Sequence, residues 1–243
     1  AKQIIYEYEN AKSDNPMFVW SVSIAAHGEG LDETTLLNED YDYPIDVDFS
    51  GVKISELNDT PLDESEQKNV IRTVNSFVNA CNAYKMLIDY FAMVDEPTVV
   101  VMYGDHCPGI GSELVKLTGY DLTTMNYSDV KKVFTTPVLM WKNYNSDVDE
   151  CVIEGENVNY LSAAVIDYAG LPDCDMARML RYMRSQFRAI AARYKLDVNG
   201  VPLLGVDGWT QEERVAYESF GILTTEIIYN ENQTYYNWLW RVN

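Results

Sequence analysis

The chain has 243 residues, 47% hydrophobic and 12% aromatic, enough apolar material for a substantial core in one large domain or two small ones. Its 38 acidic residues against 18 basic leave a formal net charge of -20. Nucleic acid is therefore a poor candidate partner, and anionic headgroups are repelled unless a local basic patch or a metal reverses the sign. The simplest reading of the acidity is a surface that keeps a folded domain soluble.

No run approaches the ~18 apolar residues of a membrane span. The longest, Val99 to Tyr103, is strand-sized. Lys2, Glu7 and Glu9 interrupt any signal-peptide-like stretch. A start at Ala1 is expected of a processed or excised piece, whose parent gene would hold any signal or anchor. The cysteines Cys81, Cys107, Cys151 and Cys174 have no zinc-like spacing. A Cys151–Cys174 bridge is open in an oxidising compartment, and Cys81 reads as a small core residue on a helix.

In chain order, a short helix is expected over about Gln3 to Lys12. Met17 to Ala26 is strand-like, with Phe18, Trp20, Val22 and Ile24 spaced by two. Gly28 to Pro61 is acidic and turn-rich and reads as a long surface excursion. Asp63 has the place of a helix N-cap, with Glu66 completing a capping box and Leu62 as staple. The helix it opens should run to about Met93, burying Val70, Val74, Phe77, Cys81, Tyr84, Ile88 and Phe91.

Pro97 and the run Thr98 to Tyr103 then suggest a central strand, buried and parallel to its neighbours. Thr136 to Trp141 is a second strand. Helices follow over Tyr160 to Ala169, ended by Gly170 and Pro172, over Met176 to Tyr194, and over Gln211 to Tyr229. Helices alternating with short apolar strands predict a three-layer α/β fold.

The chemistry concentrates in Thr98-Val-Val-Val-Met-Tyr-Gly-Asp-His-Cys-Pro108. A strand there delivers a carboxylate and an imidazole at its carboxyl end, where ligands of open α/β sheets bind. Gly104 lets the backbone turn and Pro108 stiffens the exit. Asp105 and His106 can converge on one cation, and mixed oxygen and nitrogen ligation suits manganese, zinc or iron better than calcium. A capping Asp beside an incidental His is the structural alternative; the setting after an apolar strand favours the site.

The second of the two histidines, His27, also follows a strand-like segment. It is open to two readings, a hydrogen-bonded loop residue or a binder of an anionic substrate group. Arg178, Arg181, Arg184 and Arg188 lie opposite Met179, Met183, Phe187 and Ile190 on one predicted helix. A phosphate or headgroup patch is the sharper reading; a solvated face balancing an acidic body is the favoured one. Classical nucleotide loops and the α/β-hydrolase elbow are missing from the sequence.

Four stretches, in order, resemble the lipoteichoic acid synthase-like branch of the alkaline phosphatase and sulfatase superfamily. Pro16 to His27 is similar to its strand ending in a substrate-binding His. Glu96 to Pro108 is similar to its metal-binding strand and turn, and Thr136 to Tyr144 to its "TPF-I-W-NY" strand. Asn159 to Ser162, with Ala169 to Leu171, resembles the helix after it. Together these cover roughly residues 1 to 172, and Pro108 favours this branch over sulfatases and phosphoethanolamine transferases.

The resemblance implies a three-layer α/β/α sandwich with a mainly parallel central sheet, of which residues 1–243 form the C-terminal portion of one catalytic domain. It implies a divalent ion, typically Mn2+, on Asp105 and His106, and His27 on the phosphoryl or glycerol group. The substrate would be a phospholipid headgroup or glycerol phosphate, at the outer face of a bacterial membrane reached through a parent segment. The family's threonine nucleophile and a metal-binding Glu lie upstream of the strand matched by Met17 to Ala26, and the sixteen residues before Met17 match neither. This chain also departs at Ala26, where the family often has Asn, near Asn79 or Asn82, where its long helix usually carries an Asp, and at Cys107. Ester hydrolysis of the sulfatase or phosphatase kind, and a non-catalytic acidic binding module, are the alternatives.

Overall fold

A computed structural model describes residues 1–11, 15–23, 61–107, 109, 111–119, 132–148, 150, 155, 157–190, 195–203 and 205–229. The chain is an α/β protein of mixed helices and short strands. It divides into two compact units, Ala1–Asn143 and Tyr144–Asn243.

In the first unit, α1 (Lys2–Asn10) precedes the long α2 (Glu64–Phe91). The helix α2 begins where a capping box dictates: Asp63 Oδ1 accepts the Glu66 amide at 2.9 Å, and Glu66 Oε2 accepts the Asp63 amide at 2.8 Å. Leu62 is buried before it, as a staple would be. The far end of α2 holds α1, since Tyr8 stacks edge-on against Phe91 with ring centroids 5.1 Å apart. The Tyr8 hydroxyl donates to Glu96 and that of Tyr90 to Glu9, each at 3.0 Å.

The apolar stripe of α2 is only partly buried. Val70 and Phe91 are inside, but Phe77 is exposed, and Asn75 and Ser76 take buried places instead. Cys81 is exposed, not a core residue. The three-and-four spacing locates an apolar face; it does not ensure that the face is covered along its whole length.

Strand β1 (Val99–Tyr103) forms as its β-branched run predicts, and β2 (Val138–Lys142) pairs with it from Val99 opposite Lys142 to Tyr103 opposite Val138. The pairing is antiparallel, which corrects the parallel arrangement expected for Val99–Tyr103. The burial expected of the run is only partial too, since Val99 to Met102 are half-buried and Tyr103 is exposed; both corrections follow from what packs beside the strand, which its composition does not carry. Among the described residues both sheets are two-stranded and antiparallel. Residues 17–23 of the expected first strand belong to no sheet, and Phe18, Trp20 and Val22 are exposed. Residues 24–60, with the rest of that segment and the acidic excursion, lie outside the described part.

Asn143, just past β2, closes this unit. Its Oδ1 accepts the Thr98 amide at 2.7 Å, and its Nδ2 lies 3.0, 2.9 and 2.9 Å from the carbonyls of Phe91, Val94 and Glu96. One amide thus satisfies the frayed end of α2 and the start of β1. Helix α3 (Gly111–Thr118) docks on the first turns of α2. Lys116 Nζ lies 2.5 Å from both Glu66 oxygens, and Asn69 donates to buried Glu113 at 2.8 Å.

In the second unit a short 3-10 turn, Val158–Tyr160, leads into α4 (Leu161–Ala169). Gly170 ends α4 at φ +63°, with its amide on the Asp167 carbonyl and that of Leu171 on Ile166. These are the bonds of a Schellman cap, and the left-handed conformation is why glycine stands there. Helix α5 (Asp175–Gln186) then gives way to β3 (Phe187–Ile190), which pairs antiparallel with β4 (Lys195–Asp197).

The helix expected over Met176 to Tyr194 is therefore shorter. From Phe187 burial alternates by two, with Phe187 and Ala189 inside. A core of Tyr160, Leu180, Met183, Phe187 and Trp209 gathers these elements with α6 (Gln211–Tyr229). A second capping box, Thr210 with Glu213, starts α6.

Arg178 and Arg181 of the arginine stripe are tied down by aspartates. Arg181 bonds Asp167 and, at 2.7 Å, Asp173; Arg178 bonds Asp175 and, at 3.2 Å, Asp173. The favoured reading of that face, charge balance, is what Arg178 and Arg181 display. Hydrogen bonding from Arg181, reinforced by Arg178, holds the Asp173 carboxyl below the usual carboxylate range despite partial desolvation. Cys174 is buried with a free thiol, while Cys151 lies outside the described residues.

Replacing Asn143 by Ala should cost the first unit on the order of 2 kcal/mol, given about 1 kcal/mol net per hydrogen bond. Hydrogen exchange at Thr98 and along β1 measures this, and unchanged protection would mean the ladder stands without it.

The pH response of the α4–α5 corner has a definite sign. A carboxyl whose pKa is lowered by folding stabilises fully above its unfolded value and loses that contribution as pH falls through the folded one. Protection of α4 and α5 against exchange should thus decline below about pH 4 in the native protein, and Asp173→Asn should remove that component of the decline.

Candidate functional site

The turn after β1 carries the sequence-predicted ligands. Tyr103 ends the strand, Gly104 begins the turn, and Asp105 and His106 follow with exposed side chains. Gly104 is required by proximity. A Cβ there would meet the Thr136 Cβ at 3.0 Å, and real Cβ contacts of that kind force a neighbour to move.

Each of the two side chains is fixed by one bond to the backbone. Asp105 Oδ1 accepts the His106 amide at 3.0 Å. His106 Nδ1 lies 2.7 Å from the Cys107 carbonyl oxygen, and only a protonated nitrogen can donate there. In the neutral ring this places the lone pair on Nε2, which sits 3.5 Å from Asp105 Oδ2.

That pair of atoms fits a shared cation. Two donors about 2.1 Å from one ion, at the angles of a tetrahedral or octahedral shell, stand roughly 3.0 to 3.4 Å apart. A small rotation of either exposed side chain closes the difference. A metal-binding His commonly donates its other N–H to a carbonyl, as His106 does to Cys107. The donor set, one carboxylate oxygen and one imidazole nitrogen, suits manganese or zinc. Among the described residues no group of three or more His, Cys, Asp or Glu side chains is placed to hold a metal ion.

The structure thus brings Asp105 and His106 together. His27, the expected substrate-binding residue, lies outside the described residues, as does Pro108. Cys107 is half-buried with a free thiol.

What sequence reading passed over is how the turn is held. Gly104 donates its amide to the Pro137 carbonyl at 3.1 Å, and its own carbonyl accepts the Thr136 hydroxyl at 2.7 Å. A proline at the first residue before a strand was the available signal, since it removes a ladder donor that something else must replace. On the downstream side, α3 is anchored to α2 through Glu113 and Lys116.

No protein-family model, curated protein or solved structure matches the chain.

The ring geometry makes a direct prediction. Long-range proton–nitrogen correlation spectra of the neutral His106 ring should show the Nδ1-protonated tautomer dominating. An Nε2-protonated majority would mean that the bond to the Cys107 carbonyl does not persist in solution.

Proposed function

We propose that this chain is the C-terminal portion of the catalytic domain of a metal-dependent phosphoglycerol transferase, similar to the lipoteichoic acid synthase branch. One observation carries the reading: the carboxylate and imidazole of Asp105 and His106 stand 3.5 Å apart at the carboxyl end of an apolar strand, each oriented by a backbone bond. Asp105 and His106 would hold a divalent ion, Mn2+ by family resemblance, together with groups outside these two. Such an ion, when bound, supplies positive charge to a phosphate and favours a deprotonated nucleophile. The chain's own part is to orient the two ligands and, through His27, to bind the phosphoryl or glycerol group of a phospholipid headgroup. By the same resemblance, a threonine nucleophile would lie upstream of the strand matched by Met17 to Ala26.

The finer fold reading, a three-layer sandwich with a mainly parallel sheet, rests on the family resemblance; the antiparallel β1–β2 pair is compatible with it only at the margin of such a sheet. Among the described residues no helix is long and apolar enough to cross a membrane. Membrane attachment at the outer face of a bacterial cell would come from a parent segment.

The test is Mn2+ calorimetry and phosphatidylglycerol turnover on this chain and on its longer parent. The chain alone should bind Mn2+ weakly and turn over nothing. In the parent, Asp105→Ala or His106→Ala should reduce turnover by a factor of about a thousand or more, in keeping with loss of a group that stabilises transition-state charge. His27→Ala should chiefly impair substrate use. A parent indifferent to Asp105→Ala would make the turn structural and favour a binding module, and release of free glycerol phosphate without transfer would favour a hydrolase.

A further inference from the structure

Strand β1 meets the candidate site through a single residue, Gly104, and the ladder continues one step beyond the strand to include it. Register sets Gly104 opposite Pro137, because Tyr103 faces Val138. The Gly104 amide donates to the Pro137 carbonyl at 3.1 Å, which is half of a closely spaced antiparallel pair. The reciprocal bond, from the amide of residue 137 to the Gly104 carbonyl, cannot form because proline has no N–H. The Thr136 hydroxyl takes its place, donating to the Gly104 oxygen at 2.7 Å.

We propose that Thr136 is a positioning residue for the Asp105–His106 turn, its hydroxyl standing in for the amide that Pro137 lacks. The Gly104 carbonyl and the Asp105 amide belong to one peptide plane, so a donor on that oxygen sets the direction in which Asp105 leaves the strand. A Cβ at position 104 would meet the Thr136 Cβ at 3.0 Å, so only glycine lets Thr136 sit this close to the turn. Thr136 is half-buried, so water replaces it poorly. The proposal rests on the reading of Asp105 and His106 as divalent-ion ligands, but the backbone role of Thr136 can be measured without a metal.

The experiment uses the whole chain, uniformly labelled, with amide spectra recorded before and during a titration with Mn2+ alone. Wild type, Thr136→Val, Thr136→Ser and the double variant Thr136→Val with Pro137→Ala are compared, with Asp105→Ala as the metal control. Valine keeps the shape and removes the donor; serine keeps the donor; alanine at 137 restores a backbone amide opposite Gly104.

The expected result is that Thr136→Val displaces or broadens the Gly104 to His106 amides and weakens Mn2+-induced broadening there by about tenfold, the usual scale for groups that orient metal ligands. Thr136→Ser and the double variant should return both readouts towards wild type. Unchanged Gly104 to His106 amides in Thr136→Val would overturn the proposal, as would a serine variant that behaves like valine. If wild type and Asp105→Ala broaden alike, the metal reading fails, and the amide signals alone decide for or against Thr136. If Thr136→Val does not fold, the double variant decides: restored wild-type amides support the substitution of hydroxyl for amide, and displaced ones refute it.

Discussion

A single carboxamide organises the first unit. Asn143 offers one oxygen and two protons, and four backbone groups converge on them: the Thr98 amide and the carbonyls of Phe91, Val94 and Glu96. Two protons serve three carbonyls, so at least one bond is shared. Those groups belong to the end of α2, the link that follows it and the residue before β1, so one side chain ties all three together. Because Asn143 also donates its own amide to the Thr98 carbonyl, the residue pairs Thr98 on both sides as the next rung of the β1–β2 ladder. Neither a shorter polar side chain nor an acid would do the same, since the first would not reach and the second has no proton to give.

The ladder is closed symmetrically. At the end near α2 a side-chain oxygen of Asn143 replaces a backbone acceptor; at the end near the turn a side-chain hydroxyl of Thr136 replaces a backbone donor. Both residues flank β2 and both act on residues flanking β1. The five-residue pairing between them would be a marginal two-stranded ribbon by itself. Fixed at either end, it can present Asp105 and His106 on a backbone that does not depend on the surrounding loop.

How far the sequence announced this depends on the range of each interaction. The capping box at Asp63, the glycine cap at Gly170 and the extent of Gln211–Tyr229 were legible because each is decided within a few residues. The Asp105–His106 turn was legible for the same reason. The direction of the β1–β2 pairing, the exposure of Cys81 and the partial burial of α2 were not, because they depend on what packs from elsewhere in the chain. The β3–β4 hairpin was hidden in another way. The stripe of Met179, Met183, Phe187 and Ile190 keeps a helical spacing across a point where the backbone has become extended, so the period test carries the helix past Gln186 into β3.

The charge distribution bears on the exposed Asp105–His106 pair. Several of the few basic residues are committed to neighbouring acids: Lys116 to Glu66, Lys68 to Glu64, Lys85 to Asp89, and Arg178 and Arg181 to the aspartates of the α4–α5 corner. In a protein of net charge -20 the general field already favours a cation anywhere on the surface. Such a field concentrates ions but does not choose among them. Selection requires donors held at a fixed separation, and exposed side chains hold one only if the backbone beneath them is fixed and each has a second bond to spare. Asp105 uses one oxygen, and His106 one nitrogen, to grip the turn itself, so the placement of both side chains follows the backbone beneath them. The rigidity of the Asp105–His106 pair therefore has to come from the ladder below it.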